Sequence, residues 1–125
     1  MQLPNPLRIL VADDSPVVRA AVGRKATAAG FVVVFASSFA DASRHASEAF
    51  DGALLDLDLG DGDGATLGAA LRANSTSLAI AFFSGGAQDD VRANALALGP
   101  VFAKPDDLDG AIAWLTNATT SRRRP

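Results

Sequence analysis

Apolar runs and helical periodicities alternate five times along this chain. Residues 7–12 are an apolar run that reads as a buried strand. Asp14-Ser15-Pro16 follows it, a cap residue before a proline at the first helical position, so a helix opens there. Val18, Val22, Ala26 and Ala29 give its apolar face and Gly30 ends it. Gly23 inside this pattern costs about 1 kcal/mol relative to Ala. Residues 31–35 are β-branched and aromatic and predict the second strand. Ser38-x-x-Asp41 resembles a capping box and opens a second helix to about residue 50. A third strand over 53–56 precedes a helix over 63–73, and a fourth over 78–83 precedes one over 88–98 that Gly99 closes. Val101–Ala103 is a short fifth strand. Leu108, Ala111, Ile112 and Leu115 form the inward stripe of a last helix, whose N-terminus Asp106 and Asp107 favour through the helix dipole.

Five strand–helix units with continuous apolar strands imply an α/β fold, a parallel sheet covered on both faces. The expected architecture is a doubly wound five-stranded sheet of order 2-1-3-4-5, with strands 1 and 3 as central neighbours. Ligands of such sheets bind beyond the carboxyl ends of the strands, at the switch point. Asp13 and Asp14 fall at the end of strand 1 and Asp56 at the end of strand 3. Ser84 ends strand 4 and Lys104 ends strand 5. This topology places all five residues on one edge of the sheet.

Composition narrows the class. The 125 residues suffice for one domain, with a core over about 7–117 and an Arg-rich tail, 118–125, expected to be disordered. Hydrophobic residues make up 49% and aromatics only 6%, so small and branched aliphatics build the core. Cysteine is absent, which excludes disulfides and thiolate metal sites and suits a reducing compartment. No apolar stretch approaches a membrane span, and Met-Gln-Leu-Pro-Asn-Pro lacks the pattern of a signal peptide. A cytoplasmic location is expected, where Asn-x-Ser/Thr at Asn74 and Asn117 carries no meaning. Net charge is −3; without Arg122, Arg123 and Arg124, 8 basic residues face 14 acidic ones, a balance of −6. Such an acidic body does not suit a nucleic-acid surface.

The chemistry follows from the groups at the sheet edge. Clustered carboxylates raise one another's pKa unless a cation compensates. Hard oxygen ligands without His or Cys select Mg²⁺, or Mn²⁺. An Asp beside such a cation, with a hydroxyl and an ammonium nearby, is a phosphoryl-accepting nucleophile. In the loose, in-line transition state of phosphoryl transfer, a metal and Lys104 would neutralise the negative equatorial oxygens, and the protein's work is mostly positioning and electrostatics. Asp61 and Asp63 read as turn formers, and His45, alone on a polar helical face, receives no role. Trp114 reads as a packing residue or as part of an interaction face, packing being favoured.

From about Leu7 to Leu115 the chain resembles a response-regulator receiver domain. The likeness rests on Leu10-Val11-Ala12-Asp13-Asp14-Ser15, on Leu54-Leu55-Asp56 with Asp63-Gly64, on Phe82-Phe83-Ser84-Gly85, and on Lys104-Pro105. It implies a flavodoxin-like (βα)5 fold and Asp56 as acceptor of a phosphoryl group from a partner phosphohistidine. That partner would be a sensor histidine kinase or a histidine phosphotransfer protein, and the output a contact with a downstream protein rather than with nucleic acid or membrane. The resemblance further implies that Asp14 ligates Mg²⁺ directly and Asp13 through water, with the Asp58 backbone carbonyl and Asp56 completing the protein's share. Lys104 would pair with the phosphoryl group, Ser84 would donate a hydrogen bond to it, and Lys104-Pro105 would be cis. No turnover enzyme is implied, only self-phosphorylation and its reversal.

Several positions depart from the family pattern. Gly60 stands where proline is usual, which suggests a looser loop, and Ser84 replaces the commoner Thr. The stretch from Gly99 to Lys104 is about two residues short, so Val101 takes the place of the switch aromatic with Phe102 one step on. Asp58 puts a carboxylate where phosphoryl lifetime is tuned. Two other functions compete. A receiver-like interaction module would not phosphorylate at all. A haloacid-dehalogenase-type phosphatase would use Asp56-Leu57-Asp58 as nucleophile and acid, but leaves the Asp13-Asp14 pair unexplained. A calcium loop fails, since neither Asp56 nor Asp61 as first residue puts Gly at position 6 and Glu at position 12.

Overall fold

The computed structural model describes residues 6–123, and side chains through residue 121. Its elements run β1 (Arg8–Ala12), α1 (Pro16–Ala28), β2 (Val32–Ala36), α2 (Phe39–Ser43), β3 (Gly52–Leu55), α3 (Gly64–Asn74), β4 (Ala79–Ser84), α4 (Asp89–Leu96), β5 (Val101–Ala103) and α5 (Leu108–Arg123). The five strands form one sheet in the order β2-β1-β3-β4-β5, and every neighbouring pair is parallel. This is the doubly wound architecture that the alternation of runs predicts.

Strand side chains alternate between the faces with period two, and the core divides accordingly. Leu10, Ala12, Ala53, Leu55, Ile80 and Phe82 pack with Ala42 of α2, Leu67 and Leu71 of α3 and Ala95 of α4. Ile9, Val11, Leu54, Ala81 and Phe83 face the other way, against Val22 and Ala26 of α1 and Ala111, Ile112 and Leu115 of α5. Trp114 is partly buried against this second cluster, in a packing role. β1, β3 and β4 carry apolar residues on both faces because helices cover both.

Local chemistry sets the element ends. The Ser15 hydroxyl accepts from Val18 N, and Pro16 takes the first helical position of α1. Asp63 caps α3 by accepting from Thr66 N at 2.7 Å. Ala29 is exposed beyond the end of α1 and does not share the apolar face expected of it.

Two helices differ in length from the sequence expectation. α2 stops at Ser43 instead of reaching about residue 50. Its start follows the capping box, with Asp41 N donating to Ser38 Oγ and Ser37 N to Asp41 Oδ2. The Ser43 hydroxyl then bonds back to Phe39 O, and Arg44, His45, Ala46 and Glu48 each donate three residues back in tightened turns. At the other end, α5 runs through 118–123, where the composition predicts a disordered tail. Thr119 explains the extension: it is fully buried, and its hydroxyl donates to Leu115 O at 2.7 Å, so its methyl can pack. Arg124 and Pro125, the end of that expected tail, lie outside the described residues.

Candidate phosphoryl-acceptor and metal site

Parallel strands end together, and the sheet's hydrogen-bond ladder carries on into the residues after them. Asp13 N donates to Ala36 O at 3.1 Å, Asp56 N to Ala12 O at 2.8 Å and Lys104 N to Ser84 O at 2.9 Å. The backbone of each of these residues is therefore fixed by the neighbouring strand. Asp13, Asp56 and Ser84 are buried, while Asp14 is exposed.

Lys104 sits between two of the acids. Its Nζ lies 2.7 Å from Asp13 Oδ2 and 3.1 Å from Asp56 Oδ2, and 5.9 Å from the centre of the Phe83 ring. The other oxygens are occupied from the backbone: Asp13 Oδ1 accepts from Ser15 N at 2.9 Å and Asp56 Oδ1 from Asp58 N at 3.3 Å. Arg19 Nη1 donates to the Asp13 carbonyl at 2.7 Å and ties α1 to the end of β1. The Lys104–Pro105 peptide is cis, as the resemblance implied.

The electrostatics follow from burial and from these contacts. Burial pushes the Asp56 carboxyl above the ordinary value; the Lys104 ammonium opposes this and the Asp13 charge adds to it. Burial lowers Lys104, but its hydrogen bonds and attraction to Asp13 and Asp56 outweigh this and hold it above the ordinary lysine value. The ammonium thus touches two acids of a cluster of three, since ligand oxygens of Asp13, Asp14 and Asp56 all lie within 4.8 Å of one another. The cluster carries more negative charge than Lys104 can neutralise. All its donors are hard oxygens, and one member opens to solvent. Such a set fits a hard divalent cation that keeps several waters.

Ser84 shares the edge, but its hydroxyl is engaged locally, donating to Gly86 O at 3.0 Å and accepting from Gly86 N at 3.3 Å. The Asp58 side chain accepts from Gly60 N at 3.0 Å through Oδ1. A cleft of about 430 Å³ opens beside these residues, between the β3–α3 loop at Gly60 and Gly62 and the β4–α4 loop at Gly86 and Gln88.

The loop after Asp56 takes a defined turn at the position of the missing proline. Gly60 adopts φ +82°, a left-handed conformation that proline cannot take, and its N–H is used by Asp58. Asp58 and Asp63 pair across the loop's neck as an antiparallel bridge, and Leu57 and Leu59 bury beneath it. Asp63 is the turn former expected. Asp61 does something the sequence did not reveal: its carboxylate accepts from Phe39 N at 2.7 Å and Ala40 N at 3.0 Å, at the start of α2. No periodicity links residues so far apart in the chain.

On β5, Val101 packs on the face of α2, α3 and α4, whereas Phe102 points to the face of α1 and α5. The aromatic ring is thus on the opposite side of the sheet from the switch position. The short connection into β5 lies directly on β4: Phe82 N donates to Pro100 O at 2.9 Å, and a Cβ on Gly99 would stand 1.9 Å from Ile80 O.

Among protein families, residues 9–109 match the response regulator receiver domain. A comparison with curated proteins finds no match. Solved structures are similar over nearly the whole chain. A response regulator receiver protein from Sinorhizobium medicae WSM419 is 24% identical with a TM-score of 0.85, covering 95% of this chain and 98% of that one. A sensor protein from Polaromonas sp. JS666 is 30% identical with a TM-score of 0.78, covering 94% and 98%. A response regulator from Burkholderia pseudomallei, with a phosphorylated aspartic acid, a calcium ion and citrate, is 28% identical with a TM-score of 0.78, covering 93% and 71%.

Proposed function

We propose, from a chain that belongs to the response regulator receiver domain family, that Asp56 accepts a phosphoryl group and so switches contacts with partner proteins. The observation that carries this reading is the position of the Lys104 ammonium, 3.1 Å from Asp56 Oδ2 and 2.7 Å from Asp13 Oδ2, beside three clustered carboxylates. The donor is a phosphohistidine on a sensor kinase or phosphotransfer protein. The phosphorylated aspartic acid of the similar Burkholderia protein supports the choice of reaction.

Transfer forms a bond between an Asp56 carboxylate oxygen and phosphorus as the donor's N–P bond breaks, and the imidazole leaves with that electron pair. Lys104 neutralises one phosphoryl oxygen and turns from Asp56 to do so. The Ser84 hydroxyl gives up its bond to Gly86 O and donates to a second oxygen. Asp13, Asp14, Asp56 and the Asp58 backbone carbonyl would hold Mg²⁺, or Mn²⁺. When bound, the cation supplies the positive charge that the acid cluster lacks and that the phosphoryl oxygens require. The buried ends of the strands fix the acceptor before the donor arrives.

Asp58 makes a poor acid partner for Asp56, because one of its carboxylate oxygens is held by the Gly60 amide. This disfavours the phosphatase reading. The displaced aromatic at Phe102 keeps a second reading, a receiver-like interaction module that takes no phosphate. One assay separates the two. The protein is incubated with Mg²⁺ and a small acyl phosphate or phosphoramidate, and its intact mass is measured. One added phosphoryl group is expected on the parent and none on Asp56→Asn. No adduct on the parent favours the module, and an adduct that persists in Asp56→Asn refutes Asp56 as acceptor.

A further inference from the structure

The β3–α3 loop carries Asp58, whose amide reaches Asp56 Oδ1 at 3.3 Å. That bond is long, so a small shift of the loop breaks it. The loop also contains Gly60 and Gly62 and ends at Gly64, residues that give a backbone the most freedom. Bonds inside the loop close it on itself: Leu59 N donates to Gly62 O and Gly64 N to Leu57 O, each at 3.0 Å. These bonds set the shape of the turn but not its attachment to the rest of the domain. Buried Leu57 and Leu59 secure the inner side.

At the outer tip, Asp61 makes the hydrogen bonds to the rest of the domain. Asp61 spends both carboxylate oxygens on α2, Oδ1 on Phe39 N and Oδ2 on Ala40 N. Charge-assisted bonds of this kind are about twice as strong as neutral ones. Gly62 completes the contact. Phe39 lies so close over it that a Cβ there would stand 2.6 Å from Phe39 Cδ2. The tip adjoins the neck directly, through Leu59 N on Gly62 O and the Asp58–Asp63 bridge beneath it, so a displaced tip pulls on the segment that carries Asp58.

We infer that Asp61 is a positioning residue that clasps the tip of the β3–α3 loop to α2 and thereby keeps Asp58 against Asp56. The inference rests on the reading of Asp56 as acceptor for its functional consequence, but the clasp itself is measurable without metal or phosphate. Asp61→Asn keeps the shape and loses one acceptor, placing an NH₂ against a backbone N–H. Gly62→Ala opens the same contact by wedging Phe39.

The test is amide hydrogen exchange of the full chain in metal-free buffer, followed by Mg²⁺ titration by calorimetry. In both variants exchange at Leu59, Gly60 and Gly64 should quicken about tenfold or more. Ile112→Val, a small change in the opposite core cluster, should leave these amides unaltered. Mg²⁺ affinity should fall about tenfold in Asp61→Asn, as for other residues that orient metal ligands. Changes confined to Phe39 and Ala40 would show Asp61 to be only a cap for α2 and overturn the inference. A parent protein that binds no Mg²⁺ would count against the acceptor reading, while the exchange data still decide the clasp.

Discussion

Replacing Lys104 by Met should make the stability of this domain depend on pH in a way that reports the charge balance of the site. At an effective dielectric near 20, the ammonium attracts Asp13 at 2.7 Å by about 6 kcal/mol and Asp56 at 3.1 Å by about 5 kcal/mol, before desolvation is subtracted. Without it, the carboxylates of Asp13 and Asp56, within 4.8 Å, repel by about 3.5 kcal/mol or more. That repulsion raises the proton affinity of Asp56 further, by a factor of about 300. Folded Asp56 then keeps a proton that the unfolded chain has released above about pH 4. Stability therefore falls as pH rises from there until folded Asp56 has ionised, and is level beyond it. In the parent, Lys104 stays charged throughout this window, its own pKa being held upward. Urea unfolding with a chelator present, measured from pH 4.5 to 8, should show the gap between parent and Lys104→Met widening by about 2–4 kcal/mol. Other acids titrate alike in both proteins and cancel. A gap that stays constant over that range would refute the argument that Lys104 neutralises the pair.

Two further outcomes follow from the same geometry. Gly60→Pro, which restores the residue usual in the family, should destabilise this protein by more than about 1 kcal/mol in urea unfolding, because φ is +82° and the N–H is bonded to Asp58. Asp56→Asn should raise the denaturation midpoint at pH 7, where the parent bears the cost of a buried carboxylate, and the gain should vanish near pH 3, below the unfolded pKa; equal gains at both pH values would contradict the upward shift of Asp56.

The sheet was readable because burial on both faces leaves long apolar runs, and the site because strand ends coincide in a parallel sheet. Asp13, Asp14, Asp56 and Lys104 needed nothing beyond that topology to be brought together. What stayed hidden depended on contacts between distant residues. Asp61 has the composition of a turn and reaches α2 only through the fold. The end of α2 turned on Ser43 bonding back to Phe39 O, a competition that spacing does not encode. The reach of α5 turned on Thr119, a polar residue that buries because its hydroxyl is satisfied within its own helix. Gly60 works the other way: a glycine in place of proline suggests slack, whereas its left-handed turn is a defined conformation with a bonded amide.

Lys104 is attached to the chain it neutralises. A dissolved ion leaves a carboxylate cluster when the solution is diluted or chelated, but a tethered ammonium keeps the same local concentration under every condition in which the fold persists. The resting arrangement of Asp13 and Asp56 is thereby insulated from the ionic supply around it. A folded copy can keep Asp56 in register while ion levels vary.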